Sequence, residues 1–422
     1  MQLSKIAQAI QISPIPVFAA EVDKRKKAGE RLVNLTIGDF DPSIYPIADE
    51  LRDEIITAYK EGHTNYPGAV GVEQLRVEIS RLLRDQAGIE YDPSNILIAS
   101  GSRPLILAAY MALVDPGDKV LFPVPSWNND YYTHLVGAEA VLLHTEAKHG
   151  FMPTPAVIKP HIKEAALLSL CSPLNPTGTV MSTDQTREIC EMVAAENQRR
   201  GETQKPLRIM MDQVYWQLTY DGQRMVSPVK VCPDIRNYII FIDGLSKAYA
   251  ATGLRVGWGF GPTPLIKKMR AIVAHMGAWA PKAEQIATGR YLAQHQVAEA
   301  NLDNFRARLH QNLAQLYEGF IALKADGYPV DAINPQASIY LSVRLDLIGA
   351  TKTNASRLES EDQVHKFILE EAKTAILPFS YFGSGEHQNW YRLSVGACSL
   401  TDIEYSLEQL KASLASLSFS TH

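Results

Sequence analysis

Short runs of apolar residues alternate with helical patterns through the middle of the chain. The apolar runs are continuous, and Gly, Pro or Asp bounds most of them, which is typical of strands buried on both faces of a parallel sheet. These runs predict strands over residues 95–101, 119–125, 139–145, 166–173, 207–213, 238–244 and 256–261.

Helical patterns lie between the apolar runs. Residues 71–88 place Val72, Leu75 and Ile79 on one face, and Ser182 precedes another helical pattern as a predicted N-cap. Strands that alternate with helices indicate an α/β layer. We therefore predict a large α/β domain over residues 46–300.

The pattern changes after Lys282. A long helical stretch over 283–326 leads to a predicted strand over 337–347, and further helices and strands follow up to residue 417. This order is typical of a separate α+β unit. We assign residues 301–422 to a smaller α+β domain and place residues 1–45 with it.

Composition excludes several classes of function. Hydrophobic residues make up 46% and charged residues 21% of the 422 positions, which is ordinary for a globular protein. The net charge of -5 offers no basic surface for nucleic acid. The sequence has no apolar run long enough for a membrane span and no long apolar segment typical of a secretory signal, so we expect no membrane partner.

The four cysteines show no CxxC spacing. This favours small core residues of a reducing compartment over a disulfide framework or a zinc site. We expect a cytoplasmic enzyme without a bound metal.

A lysine follows the strand predicted over 238–244. Lys247 lies at the strand end where α/β sheets place ligands, although a solvated loop lysine is the common alternative. In a partly desolvated cleft its amine would have a lowered pKa and could form a Schiff base. Arg255 could bind phosphate or carboxylate, or form a surface salt bridge, and Gly253 is expected to let the chain turn back.

Other polar residues also follow predicted strands. Asp212 is either a turn residue or a buried anion that stabilises a protonated ring nitrogen, and Tyr215 could project into the same cleft. Asn175 precedes a proline, which favours an extended backbone and could aim its amide across the cleft. Gly101-Ser102-Arg103 separates a strand from a helix. Free N–H groups at a helix start can form an anion site, although most such segments are simple turns.

These segments resemble a known family. "SPLNPTG", "MMDQVY" and "LSKAYAATGLRVGW", together with "LTIGDFDP", "NYPGAVGVEQLR", "VDPGDKVLFPVPSWNNDY" and "YRLSVGA", are similar in order and spacing to the class I/II aminotransferases of fold type I, which use pyridoxal 5'-phosphate. The resemblance covers nearly the whole chain. It implies a large α/β domain with a mostly parallel mixed sheet between helices, a smaller α+β domain, and a homodimer with active sites at the subunit interface.

The resemblance also implies roles for individual residues. Lys247 would hold the cofactor as an internal aldimine and carry the proton between Cα and C4', and Asp212 would pair with the pyridine nitrogen. Tyr215 and Asn175 would bond the ring hydroxyl oxygen, and Trp127 would stack on the ring.

Further residues would hold the phosphate and the substrate. Arg392 would clamp the substrate's α-carboxylate, with the backbone of Gly38 beside it and with Trp127 and Asn175 also lining the substrate site. The residues that the resemblance assigns to the phosphate are Gly101, Ser102, Arg103 through its backbone, Ser246, Arg255 and, from the neighbouring subunit, Tyr66.

The sequence departs from the family pattern at two places that bear on the site. Gly244 stands where many relatives carry a phosphate-binding serine or threonine. In one bacterial group of this family, a lysine on the helix after the "GSR" turn is the second cation for a dicarboxylate substrate. The corresponding place in this sequence is near Met111, and the helix has no lysine or arginine beyond Arg103. An acidic substrate held by the partner subunit and an aromatic or apolar substrate lined by Trp127, Tyr131, Tyr340 and Tyr381 are therefore both open.

The function that the resemblance implies is transfer of an amino group. An L-amino acid would be the donor and a 2-oxo acid, with 2-oxoglutarate expected, would be the acceptor in a ping-pong reaction. A carbon–sulfur β-lyase or a decarboxylase on the same fold is the alternative, because the cofactor supports cleavage of other bonds at Cα.

Overall fold

The computed structural model describes residues 2–10, 12–353, 356–385 and 389–419. Its centre is a seven-stranded sheet in the spatial order β2-β8-β7-β6-β5-β3-β4. Neighbouring strands of this sheet are parallel, except that β8 runs antiparallel to both β2 and β7. The strands are β2 (Ile96–Ser100), β3 (Lys119–Val124), β4 (Glu139–His144), β5 (Ala165–Cys171), β6 (Arg208–Asp212), β7 (Ile239–Gly244) and β8 (Val256–Phe260).

The predicted strands of the large domain are confirmed. Each lies within two residues of an observed strand at both ends. The central strands β6 and β7 are almost wholly buried, which explains their continuous apolar sequences. The mixed, mostly parallel α/β sheet is the fold class that the sequence predicts.

Helices cover both faces of the central sheet. Ser182 caps its helix as predicted: its hydroxyl accepts from the Gln185 N–H while the Gln185 side chain accepts from the Ser182 N–H. The helices are α1 (Lys5–Ala9), α2 (Pro14–Lys27), α3 (Asp49–Lys60), α4 (Glu73–Leu82), α5 (Ser102–Leu113), α6 (Asn129–Leu135), α7 (Pro155–Ile158), α8 (Thr183–Arg200), α9 (Pro228–Val231), α10 (Leu245–Ala248), α11 (Thr263–His275), α12 (Lys282–Ala293), α13 (His295–Ala325), α14 (Glu361–Glu370) and α15 (Leu400–Ala415).

The long helical stretch predicted after Lys282 is two helices. Gln294 has ψ 61, which is not helical, and separates α12 from α13. The predicted domain boundary near residue 300 therefore falls inside α13, a helix of 31 residues.

A second, smaller sheet lies outside the central sheet. It has the order β13-β14-β10-β9, and its neighbouring strands are antiparallel. The strands outside the central sheet are β1 (Val33–Asn34), β9 (Val330–Ala332), β10 (Tyr340–Leu345), β11 (Thr351–Lys352), β12 (Thr374–Ala375), β13 (Leu377–Pro378), β14 (Trp390–Ser394) and β15 (Leu417–Ser418).

The described ranges contain no helix with the length and apolar character needed to cross a bilayer. The same ranges contain no group of three side chains placed to hold a metal ion.

Candidate active site

A cavity of about 500 Å³ lies at the carboxyl ends of β5, β6 and β7. Parallel strands end at one edge of the sheet, which brings residues far apart in sequence together there. The residues predicted from sequence that line this cavity are Gly38, Ser102, Arg103, Trp127, Asn175, Asp212, Tyr215, Ser246, Lys247, Arg255 and Arg392.

Asp212 ends β6 with its carboxyl in the cavity. Burial raises the pKa of this carboxyl to about 6, against the opposing effects of the Val214 N–H and the charge of Lys247. The Val214 N–H donates to Oδ1 at 3.2 Å. Above about pH 6 the cleft therefore holds a buried carboxylate with few protein partners.

Lys247 lies in α10, directly after β7. Burial lowers the pKa of its amine to about 8, and the charges of Arg392 and Arg103 act in the same direction while Asp39 opposes them. Its Nζ donates to the Gly38 carbonyl oxygen at 2.5 Å. The amine is therefore held in the cavity and is largely neutral above about pH 8.

The turn after Lys247 differs from the expectation for Gly253. The residues with a left-handed backbone are Ala250, at φ 50, and Arg255, at φ 55, whereas Gly253 has no positive φ. Two backbone carbonyls hold the Arg255 guanidinium: Nη1 donates to Thr252 at 2.7 Å and Nη2 to Ser100 at 3.2 Å. These bonds compensate for the unusual φ and fix the side chain at the start of α5.

Gly101 begins α5 with φ 82 and caps it without a side-chain hydrogen bond. A Cβ at Gly101 would meet the Arg255 guanidinium at 2.3 Å, and a Cβ at Gly257 would lie 2.3 Å from the Gly101 carbonyl carbon. Because these two residues are glycines, the Arg255 guanidinium can lie close to the N-terminus of α5. Ser102 and Ser246 line the cavity beside them. Free N–H groups of α5 and a guanidinium there form an anion cradle.

Packing explains why Gly244 carries no hydroxyl side chain. A Cβ at Gly244 would lie 3.1 Å from the Val256 carbonyl oxygen and 3.1 Å from the Gly257 Cα. A serine or threonine at this position would therefore require the backbone of β8 to shift by a few tenths of an ångström.

Arg392 is buried on β14 and reaches the cavity from the second sheet. Its Nη1 donates to Asn175 Oδ1 at 3.0 Å, and its Nη2 donates to the Thr36 carbonyl at 2.5 Å. Its Nε has no protein partner among the described residues. A buried donor without a partner is costly, so this atom is available to a ligand carboxylate.

Arg103 faces the cavity with its side chain, whereas the sequence assigned only its backbone. Its guanidinium carbon lies 5.7 Å from the centre of the Trp127 ring. Met111, near which a second cation was expected, is 51% exposed and does not line the cleft. Arg103, at the start of the same helix, is one of four cationic side chains among the described residues that line the cleft, together with Lys247, Arg255 and Arg392.

Of the four aromatic residues that the sequence suggests for an apolar substrate pocket, two line the cavity and two do not. Trp127 and Tyr340 line the cavity. Tyr131 and Tyr381 are not among the described residues that line it, and Tyr381 packs instead with Ile15 and Phe382.

Tyr66 lies outside this chain's cavity. Its side chain is 81% exposed, and its ring meets that of Trp279 edge-on with centroids 5.4 Å apart. Within one chain, the structure does not bring Tyr66 to the phosphate cradle.

The residues that line the cavity but were not predicted from the sequence are Ile15, Asp39, Ile106, Asn129, Tyr132, Ser169, Leu170, Cys171, Met210, Val214 and Thr252. Asp39 faces Lys247, and its Oδ1 accepts from the Thr252 hydroxyl at 2.5 Å. Ile15, near the start of α2, forms part of the cavity wall. Asp39 adjoins Gly38 in "IGDFDP", so its proximity to a predicted residue was the available signal, whereas nothing in the sequence around Ile15 marks it.

The sequence pattern of the family described as aminotransferase class I and II matches residues 30–410. The chain belongs to this family. It is an aminotransferase, and enzymes of this group use pyridoxal 5'-phosphate.

Named aminotransferases match this chain along its length. An aspartate aminotransferase of Geobacillus stearothermophilus is 26% identical over 97% of this chain and 98% of its own length. A bifunctional aspartate aminotransferase and glutamate/aspartate-prephenate aminotransferase of Petunia hybrida is 27% identical over 99% of this chain and 84% of its own.

Solved aminotransferases share the fold. The aspartate aminotransferase of Rhizobium meliloti superposes with a TM-score of 0.89 at 24% identity, covering 99% of this chain and all of the other. The Thermus thermophilus aspartate aminotransferase with maleate gives a TM-score of 0.86 at 23% identity, covering 98% of this chain.

The cleft fits the cofactor that the family uses. Pyridoxal 5'-phosphate needs a cradle for its phosphate, an anion for its ring nitrogen and an amine for its aldehyde. The start of α5 with Arg255, the Asp212 carboxylate and the Lys247 amine meet these needs.

Proposed function

We propose that this aminotransferase takes its amino group from an amino acid with an acidic side chain and that 2-oxoglutarate is its acceptor. The observation that carries the proposal is that two arginines of the cleft, Arg103 and Arg392, remain for the substrate when Arg255 binds the phosphate. Arg392 is fully buried with one free donor, and Arg103 faces the same cavity. Two guanidinium groups suit a substrate with two carboxylates. The aspartate aminotransferases among the relatives support this choice.

The roles of the chain's residues follow from the cleft. When bound, the cofactor supplies an electron sink for charge that develops at the substrate's Cα. Lys247 would hold the cofactor through its amine, and its Nζ would accept and return the Cα proton, which its lowered pKa permits near neutral pH. Asp212 would stabilise the proton on the ring nitrogen, and Tyr215 and Asn175, which line the same cavity, would bond the ring oxygen.

Binding and orientation fall to the remaining residues. Ser102, Ser246 and Arg255 hold the phosphate with Gly101, and Trp127 stacks on the ring. Arg392 binds the α-carboxylate beside Gly38, whose carbonyl oxygen already holds the Lys247 amine. Arg103 binds the distal carboxylate, and Trp127 and Asn175 complete the substrate's surroundings.

Replacing Arg103 with glutamine is expected to lower kcat/KM for aspartate by about 10–10²-fold, because Arg103 is exposed in this chain and a hydrogen bond between charged groups is worth about 1.5–3 kcal/mol. The value for alanine should change less than about tenfold, since alanine has no distal carboxylate. Half-reactions of the two proteins with each amino acid, followed by absorbance of the bound cofactor, measure both values.

The neighbouring Arg392 provides the matched comparison. Arg392→Gln should lower kcat/KM for aspartate and for alanine by similar factors, because both amino acids carry the α-carboxylate. If Arg103→Gln leaves the ratio of kcat/KM for aspartate to kcat/KM for alanine unchanged, the acidic-substrate proposal is wrong. If amino acid and 2-oxoglutarate yield pyruvate and ammonia without glutamate, the enzyme is a β-lyase, and release of carbon dioxide would show a decarboxylase.

We also infer that two copies form a homodimer through the face around Tyr66 and Trp279. Tyr66 is 81% exposed although it is aromatic, and its ring meets that of Trp279 edge-on. A tyrosine that reaches the other copy's phosphate cradle would explain why it extends away from its own.

Mixing two inactive variants tests this assembly. Tyr66→Ala and Lys247→Ala chains that are co-refolded should regain about a quarter of the wild-type activity, because half of the dimers are hybrids with one intact site each. Sedimentation should give twice the chain mass of 46.8 kDa. An active monomer, or no recovery in mixtures shown to contain hybrids, would contradict a shared site.

Two further proposals concern location and domain division. All four cysteines are free, which supports a reducing compartment such as the cytoplasm. We place the large domain at residues 46–300 and the small domain at residues 1–45 and 301–422, with α13 as the helix that passes between them.

A further inference from the structure

Tyr340 links the two halves of the site. It begins β10 on the second sheet, is almost fully buried, and lines the cavity. Its hydroxyl oxygen lies 2.7 Å from that of Tyr215, which follows β6 of the central sheet. The two rings meet edge-on with centroids 5.6 Å apart. A hydrogen bond therefore joins a cofactor-side residue of one sheet to a residue of the other.

The ring of Tyr340 also supports Arg392. The guanidinium carbon lies 4.5 Å from the centre of the ring. Arg392 is paired with Ser342 across β10 and β14, so Tyr340 and Arg392 are diagonal neighbours on one face of the sheet. A cation over an aromatic face in a buried site is held in place more firmly than one with solvent around it.

Several unusual features fix the position of Tyr340. Ser338 is buried with φ 65, a left-handed conformation that costs a non-glycine residue free energy. Its N–H donates to the Leu218 carbonyl at 2.7 Å, and its own carbonyl accepts from the Tyr220 hydroxyl at 2.5 Å. Leu218 and Tyr220 follow Tyr215 closely, so the strained backbone ties Tyr340 to the segment that carries its partner.

Two glycines make room for the same residue. Gly178 has φ 74, and a Cβ there would lie 2.2 Å from the Tyr340 carbonyl oxygen. A Cβ at Gly38 would lie 2.7 Å from the Tyr340 hydroxyl. Gly178 therefore makes room for the backbone of β10 at this position, and Gly38 makes room for the Tyr340 hydroxyl.

We propose that the Tyr340 hydroxyl donates its hydrogen bond to the Tyr215 hydroxyl, which directs the Tyr215 proton towards the ring oxygen of the cofactor while the Tyr340 ring braces Arg392. Tyr340 is then a positioning residue that connects the binding of the substrate's carboxylate to the cofactor's surroundings. This inference rests on the proposed function. A chain of hydroxyls polarises each donor in turn, so the second bond is strengthened by the first.

Both phenols remain protonated in the working range. Burial raises the pKa of Tyr215 and of Tyr340 above the ordinary value. Each hydroxyl therefore has one proton to donate, and only one of the two can donate within the pair. The order of donation is the point that an experiment can decide.

The test is Tyr340→Phe, which removes the hydroxyl and keeps the ring beside Arg392. The readout is the pH midpoint of the visible absorption band of the bound cofactor, recorded without substrate. Loss of the donor to Tyr215 weakens the bond from Tyr215 to the ring oxygen and should raise the midpoint by about half a unit to one unit. If Tyr215 instead donates to Tyr340, the same variant frees Tyr215 and lowers the midpoint, which would overturn the proposal.

A double-mutant cycle separates an effect through Tyr215 from general damage. Tyr215→Phe with Tyr340→Phe should have the same midpoint as Tyr215→Phe alone, because Tyr340 then has nothing to act on. Additive shifts would contradict the proposal, as would an unchanged midpoint in Tyr340→Phe. Tyr45→Phe is the matched control: it removes a buried hydroxyl that accepts from Asn312 at 2.8 Å outside the cleft, and it should leave the midpoint unchanged.

A second variant tests the bracing of Arg392. Tyr340→Leu removes the ring as well, and the KM for amino acid donors should rise about tenfold above that of Tyr340→Phe, the scale of one buried cation–aromatic contact. Equal KM values in the two variants would show that the ring does not hold Arg392. A wild-type protein that binds the cofactor but converts no amino acid would refute the proposed function, while the midpoint comparison would still decide the role of Tyr340.

Discussion

Replacement of Lys247 with alanine is expected to abolish transamination and to remove the visible absorption band of the attached cofactor. The cleft contains one lysine among its described lining residues, and its amine lies within 2.5 Å of the Gly38 carbonyl oxygen. Loss of a nucleophile that also carries the proton removes two steps at once, so we expect a decrease in kcat of at least about 10⁴.

The pH dependence of attachment provides an independent measurement on the wild-type protein. Burial lowers the pKa of the Lys247 amine to about 8. Below that pH the neutral fraction, and with it the rate at which cofactor-free protein attaches pyridoxal 5'-phosphate, should rise about tenfold per pH unit. Above about pH 8 the rate should level off, because nearly all of the amine is already neutral.

An exposed lysine supplies the control for both measurements. Lys268→Ala, on the surface of α11, should keep the absorption band, the activity and the pH profile of the wild type. If Lys247→Ala keeps full absorbance and activity, or if attachment follows an ordinary lysine pKa near 10, the assignment of Lys247 is wrong.

The strand ends could be predicted because the buried parallel strands carry an unbroken apolar signal. Asp212 and Lys247 follow such runs directly, and the carboxyl ends of parallel strands share one edge, so their proximity could be inferred without coordinates. The same reasoning does not apply to antiparallel β10 and β14, which approach this edge from a different sheet.

Side-chain direction could not be predicted in the same way. The turn at Gly101-Ser102-Arg103 indicated an anion site for backbone N–H groups, yet the Arg103 side chain also enters the cleft. The contact between Tyr215 and Tyr340 spans 125 positions and depends on the left-handed backbone of Ser338. Neither residue type nor spacing encodes such a conformation for serine, which rarely adopts it.

Glycines show a related limit. The sequence suggests that Gly244 is a missing phosphate ligand, whereas the structure shows a position where the backbone of β8 would lie only 3.1 Å from a Cβ. The reason lies in a strand that comes later in the chain and folds back antiparallel beside β7. Local sequence therefore identifies the departure, and only the tertiary contact explains it.

Replacement of Asp212 with asparagine is expected to lower kcat for the half-reaction by about 10²–10⁴, which corresponds to the 3–5 kcal/mol lost when one partner of a buried ion pair is removed. The amide has the same shape but cannot carry the negative charge that keeps the ring nitrogen protonated. Single-turnover kinetics with a saturating amino acid measure this effect, and the absorption band should remain because Lys247 is unchanged.

Asp212→Asn should lower the activity without lowering the stability of the folded protein. Burial raises the folded-state pKa of Asp212 from 3.8 to about 6. The carboxyl therefore loses its proton at a lower pH in the unfolded chain than in the folded chain. As the pH rises from about 4 to 6, ionisation of Asp212 lowers the free energy of unfolding, and above about pH 6 this decrease is complete. Asp212→Asn removes that cost, and the Tm of the cofactor-free protein at pH 7 to 8 should be equal to or above that of the wild type.

Asp243 offers the matched control on the next strand. Because Asp212 is paired with Ile242, the alternation along β7 places Asp243 on the opposite face of the sheet, where the Trp216 Nε1 donates to it at 2.7 Å. Burial also raises the pKa of the Asp243 carboxyl, to about 7. Asp243→Asn therefore removes a comparable buried charge outside the cleft, and its kcat should stay within about tenfold of the wild type. Equal losses in the two variants would mean that the effect of Asp212→Asn reflects a general response to a neutralised core carboxylate, and the pairing of Asp212 with the ring nitrogen would have to be abandoned.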